Sequence, residues 1–314
     1  QSFMSKMYQP KFEWRFLGPD FWLIWLGVGF LGLLTLLPGI VRQRLAKWLG
    51  RYILIRHGKR REIVETNLAL CFPDKSERAR QVMTRRYFEF LAMSILDYGL
   101  LWFARPWQLN RRIVIQGVEN IENPYLSDRR IIILTCHTTG LEFGAIALTR
   151  RYPTVGLVKA GRNPLFDWLI SRGRTRFNSK VIERNAGIRH VINAIRKKNI
   201  FYYLPDEDLG RVTRTEFLPF FGIPTATLTT LGRMAEMTHA VVVPCITHFN
   251  RKKDRYELKC LPALKNVPSG DDVMDARAMN QALEQMIREA PEQYMWSFRL
   301  FQTRPEGETS PYER

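Results

Sequence analysis

Cysteine is scarce in this chain: four residues in 314, at positions 71, 136, 245 and 260, with no CxxC pair. That sparseness excludes a disulfide scaffold, and the spacing argues against a structural zinc site. Several catalytic signatures are missing as well. There is no GxSxG nucleophile elbow, no phosphate-cradling GxxxxGK[ST] and no HExxH metal motif. Repeats and low-complexity linkers are absent, so the chain reads as one domain rather than an array. Acid is in short supply, with 30 Asp plus Glu against 48 Lys plus Arg, a formal charge of +18. Such an excess calls for an acidic partner: nucleic acid, anionic lipid or an acidic protein. No nucleic-acid-reading module accompanies it, so nucleic acid is set aside. Hydrophobic residues at 46% and aromatics at 12% exclude a disordered basic tail.

What is present begins at the N-terminus. Gln1-Ser2-Phe3 precede Met4 and read as an expression remnant. From Phe21 to Val41 run 21 uncharged residues between Asp20 and Arg42. As one helix this run is roughly 30 Å long, about a bilayer core. Trp14, Trp22 and Trp25 near its start suit an interfacial belt. The expectation is therefore an N-terminal segment 1–16, a single transmembrane helix 17–41 and a folded body 42–314. Residues 42–61 carry eight Lys/Arg and no acid, against three Lys/Arg in 1–20. The positive-inside rule then makes the body cytoplasmic, and the same cluster attracts anionic lipid of the inner leaflet. Gly27-Val28-Gly29-Phe30-Leu31-Gly32 matches GxGxxG, but it lies inside the apolar run with no strand before it, so it is not a dinucleotide fingerprint.

The body alternates. Residues 60–104 look helical, with a break near Phe72-Pro73-Asp74. Strands are expected at 112–117, 130–136, 154–159, 180–183, 200–204, 240–249 and 255–261. Helices are expected at 140–149, 164–172, 187–198, 225–237 and 271–290. This is an α/β layered fold with a mixed sheet flanked by helices.

Chemistry concentrates in IIILTCHTTGLEFGAIAL (131–148). A buried strand ends, His137 follows, and a helix starts near Gly140. Glu142 lies five residues after His137. A carboxylate can orient an imidazole and favour its protonated form, so such a pair can take a proton from an alcohol. The pairing requires His137 to precede the helix, since i and i+5 do not face each other within one. Cys136 neighbours His137, but strand neighbours point to opposite faces and make a poor nucleophile–base pair. A metal set would draw on His137, Glu142, Asp206 and Asp208, yet lacks a second close His. Seven basic residues fall between Lys159 and Arg184, near the Asn163-Pro164 helix start, and suit phosphate. Asp206-Glu207-Asp208 follows another strand. FLPFFG (217–222) reads either as core or as part of an acyl-chain groove.

Taken in order, these blocks resemble the late (secondary) acyltransferases of lipid A biosynthesis, of the lauroyl/myristoyl type, within the glycerolipid and lysophospholipid acyltransferase superfamily. The resemblance is carried by ETNLALCFPD (65–74), CHTTGLEFGA (136–145), RNPLFDWL (162–169), GRTRFNS (173–179), VIER (181–184), YLPDEDLG (203–210), FLPFFGIPTAT (217–227), PEQYMWSF (291–298) and TRPEG (303–307). It implies transfer of a fatty acyl chain from an acyl carrier protein thioester. The acceptor would be a hydroxyl on a 3-hydroxyacyl chain of a Kdo-bearing lipid A precursor at the cell inner membrane. His137 would be the general base and Glu142 its orienting partner, with Asn163, Arg184, Asp206 and Asp208 on the substrate side. No metal, cofactor or covalent acyl-enzyme is implied. The family often has a His-Arg-Arg-Phe run after the late Trp; here Ser297-Phe298-Arg299-Leu300-Phe301 follow Trp296. Acylation of a lysophospholipid or another glycolipid stays open on the His–Glu spacing alone.

Overall fold

The computed structural model describes residues 7–313. The expression remnant read at Gln1-Ser2-Phe3 lies outside the described residues. After two short 3-10 turns, Trp14–Leu17 and Pro19–Phe21, come two helices, α1 (Trp22–Leu34) and α2 (Gly39–Arg56). They correct the expected single span. The apolar run does not continue as one helix: α1 has 13 residues, about 20 Å of rise against about 30 Å for a bilayer core. Thr35 ends it, its hydroxyl donating to the Gly32 carbonyl at 2.7 Å. Pro38 lacks the N–H to continue the ladder and instead precedes α2. No helix among the described residues is long and apolar enough to cross a membrane. The GxGxxG lookalike sits wholly within α1.

Helices α3 (Gly58–Cys71) and α4 (Glu77–Asp97) form the expected helical stretch, broken where Phe72 and Pro73 stand. Ser76 caps α4 by accepting from the Ala79 N–H at 3.3 Å. α2 lies flush on α4 because position 50 is glycine; a Cβ there would come within 2.7 Å of the Glu89 backbone. Short helices α5 (Gly99–Phe103) and α6 (Pro106–Arg112) lead into the sheet.

From there strand and helix alternate. The order is β1 (Ile113–Gln116), α7 (Glu119–Leu126), β2 (Arg130–Leu134), α8 (Leu141–Thr149), β3 (Thr154–Val158), α9 (Pro164–Arg174), β4 (Ser179–Glu183), α10 (Ile188–Arg196) and β5 (Ile200–Tyr203). A hairpin of β6 (Thr215–Phe220) and β7 (Ile223–Leu228) follows, then α11 (Leu231–Thr238), β8 (Ala240–Asn250), β9 (Arg255–Cys260) and α12 (Asp272–Glu289). The expected helix over 225–237 therefore starts later, at Leu231, because residues 225–228 belong to β7. Phe221 and Gly222 both have positive φ, 52° and 77°, and make the two-residue turn that pairs β7 with β6. The β-branched Ile223, Thr225 and Thr227 favour the strand. FLPFFG belongs to this hairpin, with Phe220 and Phe221 buried in the core.

Seven strands form one mixed sheet in the order β1-β9-β8-β2-β5-β3-β4. Every pair is parallel except the antiparallel β8–β9. Side chains alternate between two cores. Ile132, Leu134, Val155 and Phe201 pack with Ile195, Leu231 and Met279 of α10, α11 and α12. Ile131, Ile133, Ile200 and Tyr202 pack with Ile121 and Leu148 of α7 and α8. Burial on both faces explains the unbroken apolar reading of β2 and β5. Gly144 lets α8 rest on β8, since a Cβ there would meet the Thr247 hydroxyl at 1.9 Å.

Candidate active site

In a parallel sheet the carboxyl ends of the strands gather on one edge, where ligands bind. His137 leaves β2, Arg184 leaves β4, and Asp206 and Glu207 leave β5; β2 and β5 are direct neighbours. The topology thus collects residues that lie up to 70 positions apart in sequence.

The His137 loop is pinned from both sides. The Met295 N–H donates to the His137 carbonyl at 2.8 Å, and the Thr139 N–H donates to the Gln293 carbonyl at 2.8 Å. The Thr138 hydroxyl donates to the Thr247 carbonyl at 2.8 Å. Asp206 then fixes the ring. One carboxylate oxygen accepts the His137 backbone N–H at 2.8 Å, and the other stands 2.8 Å from Nδ1. A proton on Nδ1 satisfies the carboxylate and leaves Nε2 as the basic nitrogen. Nε2 is 3.5 Å from Glu207 Oε1, and the other Glu207 oxygen lies 2.7 Å from Arg184 Nη1. Phe298, from the segment that departs from the family pattern, packs edge-on to the ring at 5.0 Å. Burial works against a charged imidazole, but the Asp206 charge and hydrogen bond, with Glu207 behind them, outweigh it and hold the His137 pKa above its ordinary value. Burial would lift Asp206; the His137 charge and hydrogen bonds bring it below the usual carboxylate range.

Glu142 takes a different place from the one its spacing suggested. It sits in the first turn of α8, and Arg174 at the end of α9 claims its carboxylate, with Nε 3.0 Å from both oxygens. A permanent guanidinium fork competes for a carboxylate better than a neutral imidazole does. The Glu142 charge, partly offset by burial, raises the Arg174 pKa further. The partner of Nδ1 is therefore Asp206, which the sequence placed in the substrate region.

The remaining expected residues divide. Arg184 joins the His137 cluster through Glu207. Asn163 caps α9, its side-chain oxygen accepting from the Phe166 N–H at 3.0 Å. Asp208 accepts from the Gly210 N–H at 2.9 Å and the Thr303 N–H at 2.6 Å, tying the loop after β5 to the C-terminal segment. Cys136 is fully buried, and burial together with Asp206 pushes its thiol well above the ordinary range, which disfavours a reactive thiolate. Two participants were not singled out from sequence. Glu207 was visible in the acidic triplet, and Arg174 in GRTRFNS, but nothing local marks which charge meets which.

A cavity of about 340 Å³ opens beside His137. Its walls are mostly apolar: Leu141 and Ala145 of α8, Leu91 and Ile95 of α4, Gly156 of β3 and Val181 of β4. Glu142 and Arg174 line it as well. His137 and the Arg174 guanidinium thus border one mostly apolar cavity.

Comparison with known proteins sets this α/β body, with its carboxylate-held histidine beside an apolar cavity, among the acyltransferases. The chain belongs to the bacterial lipid A biosynthesis acyltransferase family, whose model matches residues 9–303. It is 36% identical to a lipid A biosynthesis acyltransferase of Haemophilus influenzae over 302 residues, 96% of this chain and 94% of that one. It is 36% identical to the lipid A biosynthesis lauroyltransferase of Escherichia coli K12, over 96% of this chain and 99% of that one. It is 31% identical to the lipid A biosynthesis myristoyltransferase of the same organism, over 98% and 95%.

Proposed function

We propose that this acyltransferase moves a fatty acyl chain from an acyl carrier protein thioester to a hydroxyl on a 3-hydroxyacyl chain of a Kdo-bearing lipid A precursor. The observation that carries the reading is His137, held by Asp206 through Nδ1 and lining the apolar cavity. Nε2 takes the proton of the acceptor hydroxyl as its oxygen attacks the thioester carbonyl. The tetrahedral intermediate collapses, the carbon–sulfur bond breaks, and the imidazolium returns the proton to the leaving thiolate. Asp206 keeps the tautomer and stabilises the imidazolium. Glu142 acts through Arg174 rather than through the imidazole. Arg184, paired with Glu207, exchanges that carboxylate for an acceptor phosphate. Asn163 and Asp208 serve by shaping the loops around the substrate.

The membrane enters as a surface. Leu23, Leu26 and Leu33 of α1 and Trp48 and Ile55 of α2 are exposed, and so are Arg44, Lys47 and Arg51. Apolar and basic side chains interleaved on short helices suit insertion into the interface of an anionic leaflet, parallel to its plane. The acidic carrier protein finds the same positive field favourable.

The test is a purified-enzyme assay with acyl carrier protein thioester and a Kdo-bearing precursor, read by mass spectrometry. One added acyl chain, dependent on His137, is the expected product. No mass gain, or equal transfer to a lysophospholipid, would overturn the assignment of acceptor.

A further inference from the structure

The cavity has a floor with one side chain missing. In the sheet register Gly156 of β3 pairs with Tyr202 of β5 on one side and Val181 of β4 on the other. Paired residues share a face, so the three form a row, and all three line the cavity. Tyr202 and Val181 fill their places, whereas Gly156 has no side chain. A Cβ built on Gly156 meets no heavy atom within 4 Å. The backbone there needs no positive φ, which is found at other glycines of the chain. Neither strain nor close packing accounts for a glycine in a strand that it weakens. Open space toward the slot does.

The place of this gap matters. Tyr202 pairs with Ile133 of β2, four residues before His137. At about 3.3 Å per residue and about 4.8 Å per strand, Gly156 lies roughly 13 Å down and roughly 10 Å across from His137. On the facing wall Leu141, Ala145 and Thr149 line the slot at four-residue spacing, about 12 Å of helix. Beyond Gly156 the next row across β3 and β4 is Thr154 and Ser179, where the lining turns to hydroxyls. A hydrocarbon chain with its reacting end at His137 therefore passes over Gly156 near its tail.

We propose that Gly156 sets the length limit of the saturated chain held in this cavity. The inference rests on the acyl-transfer reading and deepens it to a residue that determines specificity. A larger side chain would stand between Val181 and Tyr202 and shorten the slot. Excess methylenes in a closed apolar pocket are discriminated by about tenfold or more each.

The experiment uses full-length enzyme and pairs of acyl carrier protein thioesters competing in one tube, from eight to sixteen carbons. The ratio of products is then independent of total activity. Gly156→Ala adds one methyl group into open space, and Gly156→Leu fills it. Expected is a graded shift toward shorter chains, about tenfold or more in the product ratio for Gly156→Leu. A second arm keeps the donor fixed and shortens the acceptor's own hydroxyacyl chain. A shift in the donor arm assigns the slot to the donor chain, and a shift in the acceptor arm assigns it to the acceptor chain; either supports the role of Gly156. Unchanged ratios in both arms overturn it. If the unmodified enzyme transfers nothing to any such acceptor, the functional reading has failed by itself. Protection against thermal unfolding by free fatty acids of graded length then still tests Gly156, and an identical length profile in enzyme and variants overturns the proposal.

Discussion

Two charge clusters in this molecule use the same residue types to opposite ends. One surrounds Asp97 at the end of α4. Arg42 of α2 pairs with it, Arg112 of α6 donates at 3.0 Å, and the Tyr256 hydroxyl of β9 donates at 2.9 Å. Arg42 also reaches Asp254 at 2.6 Å. Arg42 and Asp97 are wholly buried. The other cluster joins Asp206, His137, Glu207 and Arg184 at the carboxyl edge of the sheet. There Asp206 is as buried as Asp97, but the ring is 19% exposed and Arg184 is 36% exposed. The first cluster spends both oxygens of its carboxylate within the fold and ties the N-terminal helices to the sheet. The second stops one contact short: Nε2 faces Glu207 at 3.5 Å, beyond a good hydrogen bond, and next to a cavity. What separates the two clusters is access, a part-exposed imidazole nitrogen beside a cavity, rather than the number of charges.

The comparison breaks most sharply at His137. His137→Ala should lower transfer by about 10²–10⁴-fold per folded molecule, a loss that remains after any change in stability from unpairing Asp206 is corrected for. Full activity in that variant would remove the site from the second cluster. The complementary change is Asp97→Ala, which leaves two guanidinium groups with an absent partner. Loss of one partner from a buried pair costs about 3–5 kcal/mol, so denaturant unfolding should shift strongly while turnover per folded molecule is kept. An Asp97 variant of native stability would show that the buried cluster is no lock.

Asp206→Asn tests the join between burial and chemistry. In the native enzyme Asp206 favours the charged imidazole, so His137 must lose its proton above its ordinary pKa before it can act as base. Removing that negative charge lowers the His137 pKa. The neutral, base-active form then persists to lower pH, and the acid limb of the kcat/KM profile should move down in pH. The rate at the plateau should fall on the order of a hundredfold, because the ring loses its fixed tautomer. An acid limb that stays in place would mean that another group titrates. Glu142→Gln provides the control: its carboxylate is held by Arg174, so the limb should stay where it is.

The two clusters were not equally legible in the sequence. His137 at a strand end and the acidic triplet after FYYLP were readable, because strand ends in alternating α/β patterns point to one edge. The partner of His137 was not. A five-residue spacing favoured Glu142, but the sheet order puts β5 beside β2 and brings Asp206 in from 69 residues away. Strand order leaves no mark in local periodicity. The Asp97 cluster was invisible for the same reason, since Arg42 was counted among membrane-facing charges and turned inward instead. The anchor failed on a local detail: a mean apolar run hid the Thr35–Pro38 break that divides it into two helices.

That division leaves a last and smallest prediction, and it separates Arg42 from its neighbours. Arg42 is buried, while Lys47, one turn and more further along α2, is exposed beside Trp48. If α2 lies on an anionic leaflet, Lys47→Ala should weaken binding to vesicles containing acidic lipid by about 1 kcal/mol, roughly fivefold, and leave stability unchanged. The effect should shrink as salt rises, because exposed charges are screened beyond about 10 Å at 0.1 M. On neutral vesicles the variant and the native enzyme should bind alike, through the leucines and Trp48. Arg42→Ala should instead reduce stability and show no added dependence on lipid charge. A Lys47 variant that binds acidic vesicles as well as the native enzyme does would place the basic face of α2 away from the membrane, and the exposed apolar residues of α1 would then have to hold the surface by themselves.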